Sequence, residues 1–75
     1  MNKSRRARLA KVRNMLDDAM SELEDILFEE EMVFDNMPEN LQESQRAMDM
    51  ENNVEQMSEA VSSIEQAIDA IDEVQ

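Results

Sequence analysis

The groups in this chain that could do chemistry are almost all carboxylates: 19 Asp and Glu stand against 7 Lys and Arg in 75 residues, with no His and no Cys. Carboxylates alone can work as a paired acid and base, as oxygen ligands for a hard cation, or as a charged row facing a basic partner. The first use needs a cleft that perturbs one of the pair, and a bundle built from so few residues offers little of one. The second fails on spacing. Glu29-Glu30-Glu31 is contiguous, whereas a calcium loop alternates its ligands around a glycine, and the chain has no Gly. A carboxylate-bridged di-metal bundle would need Glu-x-x-His pairs. Lack of Cys, His and Gly also removes a disulfide frame, a thiol nucleophile, the usual zinc ligands and a phosphate-cradling loop. No enzymatic activity, no cofactor and no metal are expected. Charge or apolar surface shown to a partner is what remains.

Such groups need elements to carry them, and the sequence specifies two. Helix formers fill both halves around the single Pro38, which cannot sit inside a long helix. In the first half Leu9, Val12, Leu16, Ala19, Leu23, Ile26, Val33 and Met37 recur in alternating steps of three and four, with Glu30 filling one slot. The second half repeats the pattern in Ala47, Met50, Val54, Met57, Val61, Ile64, Ile68 and Ile71. That alternation marks a helix with one apolar seam. It predicts one all-α domain over 1–75, with helix 1 about 4–34, a turn at 35–44 and helix 2 about 45–74. Asp35 and Asn36 favour a turn, Pro38 can open a short helical turn, and Ser44 is placed to cap helix 2. Folding back as an antiparallel, coiled-coil-like hairpin aligns the seams without a slip: Leu9 with Ile71, Val12 with Ile68, Leu16 with Ile64, Ala19 with Val61, Leu23 with Met57, Ile26 with Val54, Glu30 with Met50, and Val33 with Ala47, every pair summing to 80. Glu30 reads as a carboxylate tolerated near the bundle's end.

Charge is polarised along the same fold. Residues 1–16 hold six bases and no acid, while residues 17–75 hold all 19 acids and Arg46. The hairpin brings the basic start beside Glu65, Asp69, Asp72 and Glu73, where each cluster offsets the other's unfavourable placement on its own helix dipole. Apolar residues also exceed one seam. Met20, Leu27 and Phe34 widen helix 1, while Ala60, Ala67 and Val74 widen helix 2, on the opposite edge of the hairpin in this register. Stripes of three positions per heptad suit a larger bundle, so a homodimer forming a four-helix bundle is expected. Phe28 and Met32, one turn apart, and Met48 at a similar height make a further partner or oligomer patch. The candidate contacts are thus Met20, Leu27, Phe28, Met32, Phe34 and Met48.

Asp35-Asn36-Met37-Pro38-Glu39-Asn40-Leu41-Gln42-Glu43-Ser44, followed by the acidic helix ending Ile64-Glu65-Gln66-Ala67-Ile68-Asp69-Ala70-Ile71-Asp72, resembles a group of short proteins of phages, prophages and other mobile elements. These carry a D-N-[hydrophobic]-P-E-x-L-Q-x-S turn between two helices. Gln45-Arg46-Ala47 departs from the more acidic start of helix 2 in that group. The resemblance implies a helical hairpin in the cytoplasm of a bacterial host and brings no catalytic residues. No apolar run is long enough for a signal peptide or membrane span. Direct nucleic-acid binding is not expected, because the basic start lacks Tyr or Trp for stacking and lies among acids. The expected role is a non-enzymatic protein-interaction and oligomerisation module, with a host protein as a possible partner. The alternative is an acidic DNA mimic that occupies the basic groove of a host nucleic-acid-binding or defence protein.

Overall fold

Two side-chain caps mark where the helices begin. The computed structural model describes residues 1–41 and 43–75. Helix α1 spans Lys3–Asp35, a short 3₁₀ turn spans Glu39–Leu41, and helix α2 spans Gln45–Asp72. Asn2 Oδ1 accepts from the Arg5 N–H at 2.8 Å, and Ser44 Oγ accepts from the Ala47 N–H at 3.2 Å. Each satisfies an amide of a first turn that has no partner within its helix. No described residue of the connection has the positive φ that favours glycine. Helix α1 closes with the Asn36 N–H donating to the Met32 carbonyl at 3.0 Å. Pro38 then opens the 3₁₀ turn and accepts from the Leu41 N–H at 2.8 Å. Gln42, one of the expected turn residues, lies outside the described residues.

The two helices pack against each other as an antiparallel hairpin, all-α among the described residues. It is a rod of 59 × 14 × 13 Å with a radius of gyration of 17.3 Å, where a compact chain of this length would have about 11 Å. Ala47, Met50 and Ile68 are buried. Around them Leu9, Leu16, Leu23, Val54, Met57, Val61, Ile64 and Ile71 are half-buried, so the apolar row read from α2 is the row that α2 turns inward.

Helix α1 corrects the expected seam. Val12, Ala19, Ile26 and Val33 are exposed, and each next residue, Arg13, Met20, Leu27 and Phe34, is half-buried in its place. The four predicted pairs containing Val12, Ala19, Ile26 and Val33 therefore lose their α1 member to solvent. Both rows alternate three and four, so periodicity could not separate them. Bulk could. Met20 offers more apolar area than Ala19, and Phe34 more than Val33, at about 0.8 kcal/mol per buried methylene. Arg13 replaces Val12 by laying its stem along the seam and reaching across with its charge. Met20, Leu27 and Phe34 are thus seam residues of the hairpin, not a flank beside it. Glu30 is half-buried on the same row.

Candidate interaction surfaces

Rotating α1 onto the bulkier row gives the hairpin two unlike edges, and two surface recesses identify them. On the first, Ile26 and Glu30 of α1 line a recess with Asn53, Gln56 and Met57 of α2. Residues seven apart share a helix face, so Val33, Ala19 and Val12 continue the Ile26 row. Ala60 and Ala67 continue the Asn53 row. Because the helices are antiparallel, Ala60 lies level with Ala19 and Ala67 with Val12. The α1 row left exposed and the α2 flank therefore fall on one edge, where the expected register had put the two flanks on opposite edges. From Asn53 onward the α2 side of this edge carries no charge: its rows are Asn53, Ala60, Ala67 and Gln56, Ser63, Ala70.

The second edge is acidic. Glu31, Phe34 and Asp35 of α1 and Glu51, Val54 and Glu55 of α2 line its recess, setting four carboxylates around the half-buried Phe34 ring. Asp17 and Glu24 precede Glu31 on its row at seven-residue steps, and Glu65 and Asp72 fall on the Glu51 row. No group of three or more carboxylates among the described residues is arranged to hold a metal ion.

One ion pair is found among the described residues, on this second edge near the open end. Arg13 Nε donates to Asp72 Oδ1 at 2.7 Å and its Nη2 to Oδ2 at 3.1 Å. That two-point geometry suits a planar guanidinium and a carboxylate. The hydrogen bond from Arg13 holds the Asp72 carboxyl below its usual range, helped by the Arg13 charge and opposed by partial desolvation. Arg13 is raised in turn, first by that hydrogen bond and then by the Asp72 charge. Arg6 reaches the end of the chain differently, its Nη2 donating to the Gln75 carbonyl at 3.2 Å. The expected facing of a basic start and an acidic finish thus comes down to Arg13 and Asp72, with Arg6 serving a main-chain carbonyl.

A pH dependence follows. A carboxyl depressed in the folded state stabilises the fold above its unfolded pKa, near 3.8, and that contribution is lost as pH falls through the lower folded value. Wild type should melt above Asp72→Asn at neutral pH, and the two should converge in strong acid. A gap in thermal midpoints that persists below the folded pKa would contradict the assignment.

Of the six residues singled out in the sequence, Met20, Leu27 and Phe34 lie in the intrachain seam. Phe28, Met32 and Met48 are exposed, Phe28 by 62%. What sequence reasoning missed is the row Val12, Ala19, Ile26, Val33. Its signal was present in the α1 stripe of three apolar positions per heptad, of which a two-helix hairpin uses two. No helix is long and apolar enough to cross a membrane among the described residues. The chain matches no family model, no curated protein sequence and no solved structure.

Proposed function

We propose that this protein is a small, acidic, non-enzymatic helical module that self-associates and acts through protein contacts. The resemblance of its turn extends the proposal to a phage or mobile-element product working in the cytoplasm of a bacterial host. The observation that carries the reading is the accessible area of 5904 Å². A compact monomer of 8.7 kDa would expose about 4,700 Å², so roughly 1,200 Å² more lies open than a self-sufficient fold leaves. Much of it is apolar: Val12, Ile26, Phe28, Met32, Val33 and Met48 are among the exposed large side chains. Association that hides such surface stabilises the folded chain by mass action. The thermal midpoint should therefore climb by several degrees over a roughly 100-fold rise in protein concentration. A midpoint that stays fixed over that range would remove the self-association reading.

A second reading, an acidic mimic of duplex DNA, is favoured by the edge where Glu31, Asp35, Glu51 and Glu55 surround one recess. A basic partner held there would release steeply as salt rises, since screening shortens the reach of exposed charges to about 8 Å at physiological ionic strength. A partner held on apolar surface would not. Binding of a bacterial DNA-binding protein at low and high salt separates the two, and salt-insensitive binding would sink the mimic.

A further inference from the structure

We propose that the edge carrying Val12, Ala19, Ile26 and Val33 seats a second copy of this chain, packed antiparallel about a two-fold axis, so that each copy's turn lies beside the other's open end. The inference rests on the interaction role proposed above and deepens it by naming the face, the occupant and the direction.

The first argument is register. Val12, Ala19, Ile26 and Val33 repeat at intervals of seven residues and stay exposed. A strict seven-residue apolar row is what a helix presents to a neighbouring helix, and α2 does not cover it. Area is the second argument. A standard interface hides about 800 Å² on each partner, the same order as the roughly 1,200 Å² by which this chain exceeds a compact monomer. Loss of that much surface would bring each copy to the exposure of a compact monomer of its own mass.

Charge supplies the occupant and the direction. Two chains of net charge −12 approach most closely where acids are sparse, and the α2 rows on this edge are free of charge from Asn53 to Ala70. Its small residues, Ala60 and Ala67, also let backbones come near. Along the rod, residues 1–16 hold six bases and no acid, while residues 17–64 hold 15 of the 19 acids and one base. A two-fold axis parallel to the rod would set the two acidic turn halves side by side. An axis perpendicular to it sets each basic start against the acid-rich turn half of the partner and leaves every neighbouring helix antiparallel. Such an interface is isologous and closes on itself.

The chain has no cysteine, so Asn40→Cys at the exposed tip gives one site for a nitroxide label. Sedimentation equilibrium should return twice 8.7 kDa. Electron–electron dipolar spectroscopy should place the two labels near the 59 Å length of the rod. A dimer with labels within about 20 Å, as neighbouring helices at 8–10 Å would give in the parallel arrangement, overturns the direction and leaves the interaction reading standing. A monomer at all concentrations overturns both. To test the face, Ala60→Glu with Ala67→Glu should abolish the doubled mass. Ser58→Glu with Ser62→Glu adds equal charge on the other side of α2 and should preserve it. A dimer that survives the alanine substitutions overturns the assigned edge. If that variant fails to fold, Ile26→Glu, on the α1 row of the same edge and 44% exposed in the single chain, takes its place with the same expected and overturning results.

Discussion

Ala47→Asp should abolish the folded hairpin, with loss of most of the helical circular dichroism at room temperature. Ala47 is the most enclosed residue, with no exposed surface, and it sits in the first turn of α2 where its N–H is already bound by Ser44 Oγ. A carboxylate there would be buried, which costs several kcal/mol even after relaxation. A domain of this size has only about 3–5 kcal/mol to lose. Arg46→Asp, on the exposed neighbour, places the same group at the same helix end, where a negative charge suits the dipole, and should remain folded. If Ala47→Asp melts within a few degrees of wild type, the two helices do not close at that point.

The second large effect tests which way α1 faces. Phe34→Ala should cost about 2–3 kcal/mol, less than the 3–5 kcal/mol of a fully buried phenylalanine, because Phe34 is half-buried. Val33→Ala removes less apolar area from a side chain that is 50% exposed and should cost under about 1 kcal/mol. Urea unfolding of both variants, at concentrations dilute enough to keep the chain monomeric, gives the comparison. Equal losses, or a larger one at Val33, would put α1 back on the row that periodicity alone selects.

That choice of row is where the sequence stopped being decisive. Two helices, a Pro38 turn and the Ser44 cap were legible because each follows from local rules: propensity, a fixed φ and an acceptor placed for a free amide. The inward row of α2 was legible because its large aliphatic side chains keep to a single row. Helix α1 carries two adjacent rows with the same alternation, and only the relative bulk of Ala19 against Met20 or Val33 against Phe34 distinguishes them. Arg13 hid the answer further, since a charged residue in a seam position looks like an error until Asp72 stands across from it. Asn2 was overlooked as a cap although it directly precedes the first helical residues. The same ambiguity decides which residues look spare. With Val12, Ala19, Ile26 and Val33 in the seam, Met20, Leu27 and Phe34 stand outside it; with the rows exchanged, they fill it.

The Arg13–Asp72 pair joins residues 59 positions apart, and most layers of the seam lie between it and the turn. Closing a loop that long in an otherwise open chain costs about 1 kcal/mol more than closing the short one beside Pro38. The cost at the open end falls as each inner layer forms, because the segment still to be closed shortens. The ion pair is thus conditional on the rest of the seam, and its presence reports in one contact that the hairpin has zipped from the turn to its open end.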